Sequence, residues 1–204
     1  AALLALGADP TARARWLQPA SEVTGQSEML ELGTPAPPFS LPDPDGNRHS
    51  LVDGKAAYVV MFICNHCPFV KHIRTELAAL GRDYSPRNVS IIAINSNDVE
   101  KHPGDSPENM KAESQAWGYT FPYVFDEDQE VAKAFRAACT PDFVLFDANK
   151  QLVYRGQRDG SRPTNSVPVD GRDLRAALDA VLAGKPVSPD QVPSIGCNIK
   201  WKVG

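Results

Sequence analysis

The chain has 204 residues, 42% hydrophobic and 23% charged, and this balance predicts one compact domain with additions rather than two domains. The formal net charge of −4 and the pI near 5.6 give no electrostatic reason to expect nucleic acid or an anionic membrane as a partner. Four cysteines are too few for a disulfide scaffold in a chain of this length, and the sequence has no apolar run of about 18 residues that would cross a bilayer.

Residues 1–28 differ in character from the rest of the chain. After Gly7 they are polar and unpatterned, and Met29 would be a natural start for the regular sequence that follows. We therefore expect 1–28 to be a flexible N-terminal extension or a cloning remnant, and the protein to be cytoplasmic. The alternative is a trimmed export leader, which would place the protein in an oxidising compartment.

The first half of the chain predicts a hairpin followed by two β–α units. The predicted elements are a hairpin over 39–51, a strand over 59–63, a helix over 68–81, a strand over 89–95 and a helix over 106–117. The first strand has no polar residue, which is typical of a strand buried on both faces. Pro68 suits the first position of the helix, and Gly81 suits the cap at its end.

The second half predicts a short extended piece, a helix, a hairpin and a last helix. They cover 121–125, 128–135, 143–155 and 170–184, and a tail over 187–204 carries Cys197. Alternating strands and helices imply parallel strand pairs, while the hairpin adds antiparallel edges. We therefore predict an α/β fold over residues 29–186, with a central mixed β-sheet and helices on both faces.

Cys64 and Cys67 form the strongest chemical signal, because a Cys-x-x-Cys pair stands where an apolar strand runs into a helix. In a protein that is not a disulfide scaffold, this spacing indicates redox or metal chemistry. Buried, inert thiols are the less favoured interpretation.

Three stretches carry a resemblance to a known family. The first is Gly33-Thr-Pro-Ala-Pro-Pro-Phe-Ser-Leu-Pro-Asp-Pro-Asp-Gly, and the other two are Cys64-Asn-His-Cys-Pro-Phe-Val-Lys and Cys139-Thr-Pro-Asp-Phe. They resemble the alkyl hydroperoxide reductase/thiol-specific antioxidant (redoxin) branch of the thioredoxin superfamily, in particular a peroxiredoxin-like subgroup. The resemblance covers about residues 29–186. It implies a thioredoxin-like three-layer sandwich with an N-terminal β-hairpin.

Alignment of the motif with the pattern of this family assigns the role of nucleophile to Cys67. In thioredoxin-like reductases the attacking cysteine follows a strand phenylalanine by five positions, and here Phe62 leads to Cys67. Pro68 would remove an intrahelical donor if the helix began at Cys64, so Cys67 is predicted at the helix N-cap, where the helix dipole favours a thiolate. Cys64 would then resolve the mixed disulfide from the N-terminal side.

The same register disfavours a peroxidase. The proline, threonine and arginine of the peroxiredoxin pattern correspond to Val60, Cys64 and Pro141. Pro141 instead matches the cis-proline of thioredoxin-like reductases, so the resemblance implies a cis bond after Thr140, with Thr140 facing the nucleophile and pairing with the substrate backbone.

Three further residues are candidates for supporting roles. His66 would tune the pKa of Cys67 through its charge. Cys139 is as well explained as a small core residue as by a redox role. Cys197 could return on a mobile tail as a second resolving thiol for Cys67.

The leading hypothesis is a thiol-disulfide oxidoreductase with Cys67 as nucleophile and Cys64 as resolving thiol, acting on disulfide-containing proteins or small thiols. A thiol-dependent, antioxidant peroxidase with Cys67 as the peroxidatic residue is the alternative. From another class comes a copper or zinc delivery module; its ligands would be drawn from Cys64, Cys67, His66, His72 and His102.

We expect no cofactor, a reducing partner such as a thioredoxin, and no nucleic acid or membrane partner. A homodimer is left open by analogy with peroxiredoxins.

Overall fold

The computed structural model describes residues 24–204, so most of the expected extension over 1–28 lies outside the described residues. The strands are β1 (Thr24–Gln26), β2 (Leu41–Pro42), β3 (Arg48–His49), β4 (Ala57–Phe62), β5 (Val89–Asn95), β6 (Tyr123–Phe125), β7 (Cys139–Thr140), β8 (Asp142–Asp147), β9 (Leu152–Gly156) and β10 (Ile195–Asn198). The α-helices are α1 (Pro68–Lys71), α2 (Arg74–Tyr84), α3 (Pro107–Trp117), α4 (Glu130–Ala134) and α5 (Arg172–Leu182).

A five-stranded mixed sheet with the order β6-β5-β4-β8-β9 forms the centre of the molecule. β4 pairs in parallel with β5, and β5 pairs in parallel with β6, as the two β–α units require. β8 and β9 form the antiparallel hairpin, and β8 pairs with β4. The mixed sheet and the order of its elements confirm the predicted fold class.

β4 is buried on both faces, as its apolar run predicts. Val59 and Met61 pack in one core cluster with Leu77 of α2 and with residues of α5. Tyr58 and Val60 pack in the opposite cluster with α4 and with residues around the β2–β3 hairpin. Because each face of the sheet needs its own apolar cover, helices lie on both sides of it.

The helix predicted over 68–81 differs from the observed structure in two ways. The chain forms a single turn, α1, and then restarts as α2, with Ile73 between them at φ −114° and ψ 6°. Gly81 does not end the helix, which continues to Tyr84. A methyl group at Gly81 would crowd Thr120 and Phe121, so this glycine permits close packing instead of capping.

A second, three-stranded antiparallel sheet joins both ends of the described chain in the order β1-β10-β7. Thr24 pairs with Cys197, and Cys197 pairs with Thr140. The strands of this sheet extend beyond the predicted domain boundaries. β1 precedes the boundary at residue 28, and β10 belongs to the expected tail over 187–204. Cys197 is therefore a buried residue of a strand and does not lie on a mobile tail.

The five α-helices of residues 24–204 have at most 11 residues. Within this part of the chain, none has the length and apolar character needed to cross a membrane.

Gly196→Ala tests the close approach of β10 to β7. A methyl group at this position would overlap the Thr140 carbonyl group, so the strands must separate and the free energy of unfolding of the reduced protein should fall by about 1–3 kcal/mol. Urea denaturation followed by circular dichroism measures this. Gly104→Ala is the matched control, because no heavy atom lies within 4 Å of the added methyl group. Equal stability of the two variants would contradict the close contact between the strands.

Candidate active site

Cys67 lies where the central strand passes into the first helical turn. It is the N-cap of α1, with extended backbone angles of φ −67° and ψ 125°, and Pro68 follows at the first helical position. The amides of Val70 and Lys71 donate to the Cys67 carbonyl oxygen. The N-cap position deduced from Pro68 is therefore confirmed, although the helix that it opens is only one turn long.

Cys67 is bonded to Cys197 in a disulfide that joins Cα atoms 6.2 Å apart. This bridge differs from the predicted one between Cys64 and Cys67. The physical reason is that β10, held between β1 and β7, presents Cys197 to Cys67, while Cys64 remains a free thiol. The resolving role predicted for Cys64 stays a prediction.

Thr140 stands between the cysteines. Its hydroxyl Oγ1 lies 3.5 Å from Sγ of Cys64, and its carbonyl oxygen lies 3.4 Å from Sγ of Cys67. Its backbone also pairs with Cys197, and the following bond to Pro141 is cis, as the resemblance implied. Thr140 thus contacts the sulfur atoms of both motif cysteines and pairs with the strand that carries Cys197.

Cys64 is almost completely buried, with 1% of its surface exposed. Burial raises the pKa of its thiol to about 11, and the negative charge of Asp105 adds to the rise, against the hydrogen bond with Thr140. Since thiolates are the nucleophiles in thiol chemistry, Cys64 is a weak nucleophile at neutral pH in this environment.

Cys139 is also buried, and burial raises the pKa of its thiol well above the usual value. Its Sγ lies 3.9 Å from the carbonyl oxygens of Pro141 and Ser194. These surroundings fit the core role that the sequence left open, and they offer no activation of the thiol.

Asp105 fixes the loop between the two motif cysteines, and it was missed by sequence reasoning. Its carboxylate is fully buried and accepts hydrogen bonds from the amides of Asn65 (2.8 Å) and His66 (3.3 Å) and from the Asn97 side chain (2.9 Å). His66 Nδ1 lies 2.5 Å from one carboxylate oxygen. Burial opposes the charge, but the hydrogen bonds of His66, Asn97 and Asn65 hold the pKa of Asp105 below its usual value.

Potential metal ligands come together in a set that differs from the predicted one. Atoms of Cys64, His66 and Asp105 lie within 4.8 Å of one another, and the His102 ring stacks on that of His66 at 5.6 Å. Cys67 is not available in this state because it is bonded to Cys197, and His72 lies at the end of α1 outside the group. The Asp105 oxygens already accept hydrogen bonds, which favours a structural over a metal-binding role.

Asp142 follows the cis-proline, begins β8 and is buried. Burial raises the pKa of its carboxyl group to about 7, although the Phe143 amide donates a hydrogen bond to it at 3.0 Å. Asp142 belongs to the Cys139-Thr-Pro-Asp-Phe motif, but no role was predicted for it, since acidic residues in Pro-Asp pairs usually stand in turns.

The chain is similar to known proteins in both sequence and structure. A model described as "AhpC/TSA family" matches residues 32–155. The crystal structure of an "uncharacterized conserved protein" from Geobacillus kaustophilus is 58% identical, with a TM-score of 0.87, and the match covers 89% of this chain and 97% of that one.

Two curated relatives carry functional names. The "Putative peroxiredoxin Rv2521" of Mycobacterium tuberculosis is 30% identical over 161 residues, 78% of this chain and 92% of that protein. The "Thiol-disulfide oxidoreductase ResA" of Geobacillus thermodenitrificans is 29% identical over 131 residues, 62% of this chain and 70% of that protein.

Asp105→Asn should loosen the loop that carries Asn65 and His66. An amide has one acceptor oxygen in place of two, so some of the buried donors around it lose their partner, and the free energy of unfolding should fall by about 1–3 kcal/mol. Thermal and urea denaturation measure the change. Asp45→Asn is the control, because Asp45 forms an exposed ion pair with Lys111 and should change stability by less than about 1 kcal/mol.

Asp142→Asn should change how stability depends on pH. In the folded protein the pKa of Asp142 is raised to about 7, so the native state holds a proton that the unfolded chain releases near pH 4. Stability from this group is complete below about pH 4 and is lost as the pH rises through about 7, with a slope of at most about 1.4 kcal/mol per pH unit. Unfolding measured from pH 4 to 8 should show a smaller loss in Asp142→Asn than in the wild type. The exposed Asp190→Asn should leave the wild-type slope, and an unchanged slope in Asp142→Asn would refute the assignment.

Proposed function

Because the chain belongs to the AhpC/TSA family, and is thereby a redoxin-type thiol oxidoreductase, we propose that it exchanges disulfides through a Cys67–Cys197 redox pair. The observation that carries the proposal is the bond between these two cysteines at the N-cap of α1. The Geobacillus thermodenitrificans relative named a thiol-disulfide oxidoreductase supports the same chemistry.

In the dithiol form, the Cys67 thiolate attacks one sulfur of a substrate disulfide. A bond forms between Cys67 and that sulfur, the substrate bond breaks, and the other half leaves as a thiolate that takes up a proton. Cys197 then loses its proton and attacks Sγ of Cys67, which releases the second half of the substrate. The substrate disulfide is reduced to two thiols, and the protein dithiol is oxidised to the observed bridge.

Cys67 is the better attacking thiol because of its position in the fold. At the N-cap, the positive end of the helix dipole favours a thiolate. Cys197 lies inside strand β10, so it does not itself begin a helix. Attack by Cys67 and resolution by Cys197 follow from this difference.

Cys64 takes the part of a supporting group in this proposal. Its raised pKa and its contact with the Thr140 hydroxyl keep it as a neutral thiol beside the segment that also contacts Cys67. Resolution of the mixed disulfide by Cys64, which the sequence predicts, remains a competing outcome of the experiment below.

A thiol peroxidase is the second candidate, and the mycobacterial relative named a peroxiredoxin favours it. Peroxide would oxidise Cys67 to a sulfenic acid, and condensation with Cys197 would release water and form the same bridge. Against it, Cys64 and Pro141 stand at the positions of the threonine and arginine of that pattern.

The cycle needs a dithiol reductant that returns the Cys67–Cys197 bridge to two thiols, and a thioredoxin-type protein supplies this chemistry. The cytoplasmic location, in which such reductants keep thiols reduced, belongs to the same proposal.

Three single substitutions test the roles of the cysteines. Cys67→Ser should abolish reduction of a small disulfide, at least about 1000-fold, since it removes the attacking thiol and burial raises the pKa of the Cys64 and Cys139 thiols. Cys197→Ser should accumulate a mixed disulfide on Cys67 because the resolving thiol is missing, whereas Cys64→Ser should keep most of the turnover. Intact mass spectrometry under non-reducing conditions, after mixing the reduced protein with substrate, identifies each species.

Accumulation of the mixed disulfide in Cys64→Ser, with normal turnover in Cys197→Ser, would reverse the resolving assignment. Stopped-flow oxidation of the reduced wild type by hydrogen peroxide decides between the two candidates. Oxidation far faster than that of an ordinary thiol, together with negligible disulfide reduction, would favour the peroxidase.

A further inference from the structure

A pocket opens beside the cis-proline, on the surface next to the redox pair. Its apolar wall includes Phe69, Pro141 and Ile195. Phe69 is two residues after Cys67, and Ile195 is two residues before Cys197. We call this space the cis-proline pocket, bounded on its other side by Arg158 and Arg162.

The polar wall carries an excess of positive charge. The residues that line it include two arginines, Arg158 and Arg162, and one acidic residue, Asp159. That carboxylate is turned to internal partners, because it accepts hydrogen bonds from the amides of Ser161, Asp170 and Gly171 and forms an ion pair with Arg158. The net charge offered to a ligand is therefore positive.

The Arg158 side chain is held in place by hydrogen bonds, but one of its N–H groups has no acceptor. Its side chain is 3% exposed, and Nη2 donates to Asp159 (3.0 Å) and Ser161 (3.1 Å). Its Nε is buried without a hydrogen-bond partner among the described residues. A buried N–H group without an acceptor is costly, so the Arg158 guanidinium lines the pocket in a fixed position with one donor left unused.

Arg162 is fixed in a similar way and retains donors. Its Nη1 donates to the carbonyl oxygens of Asp159 (2.9 Å) and Ser161 (2.8 Å), and its Nη2 donates to the Gln157 side chain (2.7 Å). These three bonds leave two of the five N–H groups of the guanidinium. Preorganised guanidinium groups of this kind match the geometry of a carboxylate.

We propose that the cis-proline pocket binds a carboxylate group of the substrate, and that the protein acts on small disulfides that bear a carboxylate a few bonds from sulfur. The proposal rests on the disulfide exchange proposed above and specifies its substrate class. A small substrate fits the burial of the redox pair, since Cys67 is 0% exposed and Cys197 is 7% exposed.

A matched series of disulfides tests the proposal with the wild-type protein. The probes are 3,3′-dithiodipropionate with two carboxylates, its uncharged diamide, and cationic cystamine. The ratio of kcat/KM for the dianion to that for the diamide should be about 10 or more, because a hydrogen bond to a charged group contributes this much in affinity, and cystamine should be the poorest of the three.

Arg162→Gln should lower kcat/KM for the dianion about tenfold more than for the diamide, mainly through KM, and Arg162→Lys should restore part of the difference. Arg87→Gln removes the same charge from an exposed residue that pairs with Asp179, and it should leave the dianion-to-diamide ratio unchanged. An equal effect of both substitutions would show long-range attraction and overturn the pocket.

Failure of this proposal differs from failure of the proposed function. If the diamide is reduced as fast as the dianion, disulfide exchange stands and the carboxylate site is wrong. If none of the three disulfides oxidises Cys67, both proposals are wrong. If Arg162→Gln does not fold, the wild-type ratio of dianion to diamide still decides the question.

Discussion

Antiparallel pairing of β10 with β7 is the contact on which the chemistry of this protein depends. The pairing sets Cys197 opposite Thr140, whose carbonyl oxygen lies 3.4 Å from Sγ of Cys67. Gly196 allows the strands to approach, since its missing side chain would fill the space of the Thr140 carbonyl group. Two cysteines 130 residues apart in sequence thereby come within bonding distance.

The other half of the site is held by a buried carboxylate. Asp105 fixes Asn65 and His66 through their amides, and Tyr123 and Gly104 hold the Asn65 side chain. The loop between Cys64 and Cys67 is therefore ordered by hydrogen bonds from separate segments of the chain. A rigid loop on one side and a paired strand on the other leave the redox pair little freedom, which favours rapid closure of the bridge.

The sequence predicted those parts of the structure that depend on local patterns. The apolar run of β4 and the proline at the start of α1 each act within a few residues, so the strand and the N-cap cysteine could be deduced. The cis bond before Pro141 was implied by the family resemblance. The packing role of Gly81 could not, because it depends on contacts with Thr120 and Phe121, far away in sequence, and no local signal marked the break at Ile73. The disulfide partner shows the same limit: spacing favoured Cys64, but strand pairing across 130 residues makes the choice, and neither the two-residue β7 nor the three-residue β1 has a periodic pattern to reveal it.

The separation of the bridged cysteines in the sequence also affects the stability of the folded protein. A cross-link that closes a loop of this length restricts the unfolded chain by about 5 kcal/mol in the chain-entropy model. The oxidised protein would therefore resist heat and proteases better than the reduced one. In each turnover the protein would pass through the less stable dithiol form. Its lifetime in the cell would depend on how long it stays in that form.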